Sequence, residues 1–116
     1  MIRPATPARP SLERDPVLRE ITQRLVKAYL PERIYLFGSK ARGDAGPDSD
    51  YDLLVVVSND APAQRRRSRL AYQVLRGTGT AADVLVVTRG YFDARVDLRA
   101  FLPATVLREG VLLHAE

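Results

Sequence analysis

Several residue types that carry common protein chemistry are rare or absent in this chain. The sequence contains no cysteine and no tryptophan, and its only histidine is His114. Without cysteine there is no disulfide framework, no thiolate metal site and no thiol nucleophile. His114, so close to the C-terminus, fits a surface residue better than a metal ligand or a base. No apolar run approaches the roughly 18 residues of a membrane span, and no apolar signal segment opens the chain. These absences predict a cytoplasmic protein that does not bind membranes.

Basic charge in this chain comes almost wholly from arginine. Lysine and arginine total 18 residues against 14 acidic ones, which gives a formal net charge of +4, and 16 of the 18 are arginine. Arginine favours bidentate pairing with phosphates and carboxylates. So small a basic excess does not predict a direct nucleic-acid partner by itself.

Proline content and hydrophobic periodicity divide the chain into a tail and one domain. Residues 1–14, with three prolines, predict a flexible tail, and residues 15–116 predict a single domain. Helices are predicted for Pro16 to about Leu30, from about Ser58 to Arg76, and within Tyr91–Arg108 as one or two helices interrupted at Pro103. Strands are predicted for Arg33–Phe37, Asp52–Val57, Ala82–Thr88 and Val111–Leu113. This order indicates an α/β (α+β) fold, a small mixed sheet of about three to four strands flanked by helices.

The segment before the second predicted strand is rich in aspartate. Its acidic residues are Asp44, Asp48, Asp50 and Asp52. Asp50 and Asp52 are spaced i, i+2, so both project to one face of an extended strand, and Tyr51 between them is expected to pack on the other face. Close carboxylates repel unless a cation neutralises them, and Mg²⁺ binds one or two carboxylates together with substrate phosphates. A solvated turn is the alternative, and the pair alone leaves both interpretations open.

A Gly-Ser pair follows the first predicted strand. Gly38 permits a positive φ or a close approach of the backbone to a ligand. Ser39 can cap a following short helix and donate its hydroxyl to a phosphate, and a plain strand-to-helix turn with Ser39 as N-cap is the alternative. Ten residues separate Ser39 from Asp50. If the first two strands are antiparallel neighbours, the Gly-Ser turn and the aspartates meet at one edge, which favours a site for phosphates and metal ions.

Two further residues are candidates for the same site. Asp83 opens the third predicted strand, either as a metal ligand and general base for an attacking hydroxyl or as a strand-start residue paired with an arginine. Arg42 either contacts a triphosphate or pairs with Asp44 or Asp48 to brace the loop. The sequence leaves both alternatives open for each residue.

Taken together, these motifs resemble those of the DNA polymerase β-like nucleotidyltransferase superfamily. Its pattern of Gly-Ser, about ten residues, Asp-x-Asp and a later Asp matches Gly38-Ser39, Asp50-Tyr51-Asp52 and Asp83. Within the superfamily, residues 37–43 and 49–53 look like those of the minimal nucleotidyltransferases (MNT). These are single-domain proteins often encoded beside a helical HEPN-domain ribonuclease toxin, for which they act as antitoxin.

The resemblance, which spans roughly residues 15–116, implies a fold like the palm of polymerase β and a two-metal transfer of AMP from ATP. Asp50 and Asp52 would bind both Mg²⁺ ions, and Asp83 would bind the ion that activates the acceptor hydroxyl. The nucleotide would be held by Gly38, Ser39 and Arg42. The implied acceptor is a hydroxyl, by preference that of a tyrosine, on a cognate HEPN toxin. Because the chain has no room for an acceptor domain, the acceptor site would lie partly on this partner or across a homo- or hetero-oligomer interface.

Two other functions fit the same motifs. A binding module would neutralise the toxin by occlusion, with the nucleotide only stabilising the complex. A small-molecule nucleotidyltransferase, for example one that modifies aminoglycosides, would work as a dimer, although it would lack the acceptor domain of such enzymes. The complete pattern favours adenylylation of the toxin.

Overall fold

The computed structural model describes residues 11–46 and 49–116, which fold around a four-stranded sheet. Its α-helices are α1 (Pro16–Tyr29), α2 (Gly38–Arg42), α3 (Arg69–Val74), α4 (Arg89–Arg95) and α5 (Leu102–Glu109), with a 3₁₀ helix at Ala63–Arg66. Its strands are β1 (Arg33–Phe37), β2 (Tyr51–Val57), β3 (Ala82–Thr88) and β4 (Val111–Ala115). The strand order is β3-β2-β1-β4, in which β2 and β3 are parallel and the other pairs antiparallel. The predicted mixed sheet flanked by helices is therefore confirmed.

The first helix begins and ends at residues that its sequence marks. The carboxylate of Asp15 accepts a hydrogen bond from the backbone N–H of Leu18 at 3.0 Å, and Pro16 takes the first helical position, where no donor is needed. The helix ends at Tyr29 because Leu30 adopts a left-handed conformation with φ 48°. The buried apolar side of α1 consists of Leu18, Ile21, Leu25 and Tyr29. These side chains pack on one face of the sheet.

Strand β2 lies between β1 and β3 and is covered on both faces. Alternate residues of a strand point to opposite faces. Leu53, Val55 and Val57 pack in the cluster with α1 and α3, whereas Leu54 and Val56 pack with Phe92 of α4 and Val106 of α5. All residues of the run 53–57 have an exposed fraction of 0%. The prediction of a strand buried on both sides is confirmed.

The prediction of a single helix from about Ser58 to Arg76 is wrong. The segment instead forms the 3₁₀ helix and the separate helix α3, because Arg67 between them is extended at φ −119° and ψ 142°. The Tyr29 hydroxyl donates a hydrogen bond to the carbonyl of Arg67 and accepts one from the N–H of Ala71. This contact with α1 satisfies backbone groups at the break, so a tertiary interaction overrides the local helical pattern.

The predicted interruption at Pro103 is also wrong. The break between α4 and α5 falls at residues 96–101, and Pro103 lies in the first turn of α5. A proline in that turn loses no intrahelical hydrogen bond.

Part of the N-terminal prediction lies outside the described residues. The tail was predicted for residues 1–14, of which 1–10 are not described, and neither are Pro47 and Asp48. Residues 12–14 form a turn, and Leu12 packs against the core. Within the described ranges, no helix combines the length and the apolar character needed to cross a membrane.

Candidate active site

The pairing of three strands brings the candidate residues to one edge of the sheet. In the antiparallel register of β1 and β2, Asp52 lies opposite Phe37, which is the residue directly before Gly38. In the parallel register of β2 and β3, Asp83 lies opposite Asp52. Residues opposite one another in a sheet project to the same face. The structure therefore places Gly38, Asp52 and Asp83 together.

Gly38 is in close contact with the carboxylate of Asp52. Its φ is +74°, and a Cβ added there would lie 2.2 Å from Oδ2 of Asp52 and 3.1 Å from its Cγ. Any other residue would be strained by the left-handed conformation and would collide with this carboxylate. The glycine of the Gly-Ser motif thus makes room for an aspartate that lies in the next strand.

Two of the aspartates act electrostatically on the third, Asp52. The pKa of Asp52 is raised above its ordinary value, chiefly by burial and further by the charges of Asp83 and Asp50, and the nearby Arg42 opposes this rise. A raised carboxyl pKa means that the folded protein disfavours the ionised form. A bound cation would remove this penalty, so the donor set of three carboxylates fits a divalent ion in its chemistry.

The carboxylates do not form a closed cage for an ion. Within residues 11–46 and 49–116, no group of three or more His, Cys, Asp or Glu side chains is arranged to hold a metal ion. Mg²⁺ seldom uses such cages, because it keeps several waters and takes only one or two carboxylates along with substrate phosphates.

Helix α2 carries the remaining two candidates. Ser39 lies inside its first turn and does not cap it, because the cap position is taken by Phe37. The prediction of a Ser39 N-cap is therefore wrong. Nε of Arg42 forms an ion pair with Asp44 at 3.1 Å, and its Nη1 lies 3.9 Å from Oε2 of Glu109. In this structure Arg42 braces the loop, which is the structural alternative considered for it, and also links α2 to α5.

The residue between the two site aspartates faces the other side of the sheet, as its position in the strand predicts. The Tyr51 hydroxyl donates a 2.6 Å hydrogen bond to Oδ2 of Asp15, and Nζ of Lys40 lies 4.3 Å from its ring centroid. Burial and this hydrogen bond raise the pKa of Tyr51 to about 12. Asp15 thus caps α1 with one oxygen and anchors the start of β2 with the other.

Sequence reasoning did not identify Tyr72, which the structure adds to the site. From α3, its hydroxyl donates a hydrogen bond to Oδ1 of Asp83 at 3.3 Å. Burial and the charge of Asp83 raise the pKa of Tyr72. The arginine considered as a partner of Asp83 does not appear among the ion pairs of the described residues. No local spacing joins a tyrosine in a helix to an aspartate in the following strand, so the sequence carries no signal for this contact.

Comparison with known proteins identifies the family. A family model for the nucleotidyltransferase domain matches residues 17–112. The chain belongs to the nucleotidyltransferase domain family. This membership confirms the predicted family and identifies the protein as a nucleotidyltransferase, whereas the roles of its individual site residues stay predictions.

Solved structures share the fold of this nucleotidyltransferase. A proposed nucleotidyltransferase from Sulfolobus solfataricus is 26% identical, with a TM-score of 0.55 over 84% of this chain and 76% of that chain. A toxin–antitoxin complex with AMP-PNP is 20% identical, with a TM-score of 0.54 over 84% of this chain and 73% of that chain. A mutant MntA–HpeT toxin–antitoxin complex has the same identity, coverage and TM-score as the AMP-PNP complex. These last two likenesses, at so low an identity, show a common fold alone. No curated protein sequence matches the chain.

Proposed function

We propose that this nucleotidyltransferase transfers AMP from ATP to a tyrosine hydroxyl of a HEPN-domain toxin and so acts as its antitoxin. The observation that carries the proposal is the close packing of Gly38 on Asp52, with Asp83 in register beside it. This arrangement brings the Gly-Ser motif, which would bind the phosphates, next to the carboxylates. The fold likeness to toxin–antitoxin complexes supports the class of partner, as does the resemblance to the minimal nucleotidyltransferases.

The carboxylates would hold Mg²⁺ together with the triphosphate. Asp50 and Asp52 would bind both ions, and Asp83 would bind the one nearer the acceptor. When bound, the ions neutralise charge on the attacking and leaving oxygens of an in-line displacement. The raised pKa of Asp52 supports this role, because burial and the acidic neighbours disfavour the ionised form of Asp52 when no cation is bound.

The other site residues would position the nucleotide and the acceptor. Ser39 and the backbone amides beside it would hold the β- and γ-phosphates, and Arg42 would contribute positive charge near them. Asp83 would accept the proton of the attacking hydroxyl. The ion pairs of Arg42 with Asp44 and Glu109 would keep α2 in place while the phosphates bind.

The test is label transfer from ATP to the toxin. The protein, Mg²⁺ and ATP labelled at the α-phosphate are incubated with the toxin encoded beside it, or with lysate of the native host. We expect label from the α-phosphate only, with γ-labelled ATP giving none. The double variant Asp50→Asn/Asp52→Asn should lower transfer by more than about 10³-fold, because it removes two of the carboxylates that would hold the ions. Its circular dichroism spectrum should match that of the wild type.

A charge-matched control separates the site from overall charge. The variant Asp60→Asn/Asp97→Asn removes two exposed carboxylates, neither of which is among the groups that shift the pKa of Asp52, and it should retain activity. Transfer by the Asp50/Asp52 variant at the wild-type rate would contradict the mechanism. If that variant suppresses toxicity at equal expression without labelling the toxin, neutralisation occurs by occlusion instead.

A further inference from the structure

The hydroxyl of Tyr72 lies within hydrogen-bond distance of Asp83, one of the candidate site carboxylates. We propose that the enzyme transfers a nucleotidyl group to its own Tyr72. This inference rests on the proposed function, since it uses the same carboxylates and the same donor nucleotide. It assigns a modification site on this chain in addition to an acceptor on a partner.

Tyr72 is in direct contact with Asp83. The tyrosine hydroxyl donates a hydrogen bond to Oδ1 of Asp83 at 3.3 Å, and Asp83 lies opposite Asp52 in the sheet. Asp83 is the carboxylate proposed to accept the proton of an attacking hydroxyl. Tyr72 therefore reaches this carboxylate without a partner protein.

Contacts with α1 hold in place the segment of α3 that carries Tyr72. The N–H of Ala71, the preceding residue, donates a 2.9 Å hydrogen bond to the buried hydroxyl of Tyr29. Nη1 of Arg24 donates to the carbonyls of Val74 at 3.0 Å and Arg76 at 2.8 Å. These contacts attach α3 to α1 through its backbone. The backbone position of Tyr72 therefore follows from the fold.

A cleft beside Tyr72 offers space for the transferred group. The Tyr72 side chain is 53% exposed, and a cleft of about 300 Å³ adjoins it. The cleft is lined by Tyr72, Leu75, Arg76, Thr80, Ala81 and Ala82. A guanidinium suits a phosphate, and the alanine and leucine side chains suit a nucleoside. A nucleotidyl group on Tyr72 would thus have a place to lie.

The proposed step conserves atoms and charge. Oη of Tyr72 forms a bond to the α-phosphorus of ATP, and the bond from that phosphorus to the oxygen bridging the β-phosphorus breaks. Pyrophosphate leaves with the bond electrons, and the phenolic proton passes to Asp83 and then to water. The product is a phosphodiester between Tyr72 and AMP. It would occupy the acceptor position and so block further transfer to a partner.

The first measurement is self-labelling in the absence of any partner. The purified full chain is incubated with Mg²⁺ and α-labelled ATP, digested, and analysed by peptide mass spectrometry. We expect AMP on the peptide that contains Tyr72, and its loss in Tyr72→Phe and in Asp50→Asn/Asp52→Asn. Tyr91→Phe is the matched control, because Tyr91 is also an exposed helical tyrosine (42%) but contacts Arg95 and not Asp83. This variant should label as the wild type does.

The second measurement needs no turnover. Protein carrying ¹³C-labelled tyrosine is titrated with Mg²⁺ and α,β-methylene-ATP, which cannot release pyrophosphate. The Tyr72 resonance, assigned with Tyr72→Phe, should shift on binding, whereas that of Tyr91 should stay in place. A Tyr72 resonance that does not move while the nucleotide binds would overturn the inference.

The outcomes separate this inference from the proposed function. Labelling of a partner by the wild type, with none on Tyr72, overturns the inference and leaves the proposed function standing. Self-labelling that persists in Tyr72→Phe overturns it as well, because another residue is then the acceptor. If neither the chain nor any partner is labelled, the proposed function fails together with the inference.

Discussion

The start of β2 and the remainder of the same strand differ in their effect on stability. Residues 53–57 are apolar, fully buried and packed on both faces of the sheet. Asp52, the second residue of the strand, has a raised pKa because it is partly buried beside other carboxylates. The apolar run stabilises the fold, and Asp52 reduces that stability. A strongly buried strand can therefore hold repelling charges at its end, where a ligand would use them.

Truncation of the buried part of β2 should have the largest effect on stability. Leu53→Ala removes a side chain with an exposed fraction of 0%, on the face opposite Asp52. We expect a loss of about 2–5 kcal/mol in the free energy of unfolding, from lost burial and the cavity left behind. Urea denaturation measures this loss. Transfer per folded molecule should stay near the wild-type value, and a selective loss of transfer would contradict the division of the strand into a stabilising and a functional part.

Gly38→Ala should have a smaller effect on stability and a large one on activity. The left-handed backbone conformation costs an alanine about 1–2 kcal/mol, and the new Cβ displaces the Asp52 carboxylate. A displacement of about 1 Å in a catalytic group can lower the rate by about 10²-fold. Label transfer and urea denaturation measure the two effects.

Gly43→Ala is the control for backbone strain. Gly43 has a similar φ of +83°, but nothing lies within 4 Å of an added Cβ. We expect a comparable loss of stability with little loss of transfer. Equal losses of activity in the two variants would show that strain, and not the contact with Asp52, explains the need for glycine.

Asp52→Asn should have the smallest effect on stability. Unlike the variants above, it should raise the stability of the protein at neutral pH. Because the folded-state pKa of Asp52 is raised, the protein loses stability as pH rises from the unfolded-state pKa, about 3.9, through the folded-state value. The asparagine variant escapes this loss, so its melting temperature should exceed that of the wild type at neutral pH and not at strongly acidic pH. Thermal unfolding as a function of pH measures the difference.

Addition of Mg²⁺ and ATP should make the melting temperature of the wild type higher than that of Asp52→Asn. The ligands should raise the melting temperature of the wild type and leave that of Asp52→Asn almost unchanged, because ligands stabilise only the state that binds them. Asp60→Asn, an exposed aspartate, is the control. A variant less stable than the wild type without ligand would mean that Asp52 contributes to the fold in its ionised form.

Much of the fold and the core of the candidate site could be predicted because their signals are local. Asp15 and Pro16 mark the start of α1, and the apolar run after Asp52 marks a central strand. The Gly-Ser and Asp-x-Asp motifs lie where neighbouring strands end and begin, so one antiparallel pairing brings them together. Capping, alternation and motif spacing all act over a few residues, which is why a single sequence is enough to reveal them.

The tertiary structure alone decided what depends on residues far apart in the chain. The hydroxyl of Tyr29 bonds to the backbone at the helix break at Arg67. The carboxylate of Asp52 leaves room only for glycine at position 38. Asp83 accepts a hydrogen bond from Tyr72 and does not pair with an arginine among the described residues. None of these contacts leaves a periodic or compositional pattern, because each arises only when separate helices and strands pack against the same sheet. By itself, the sequence determined which chemistry is available at the edge of the sheet, and packing decided which groups reach it.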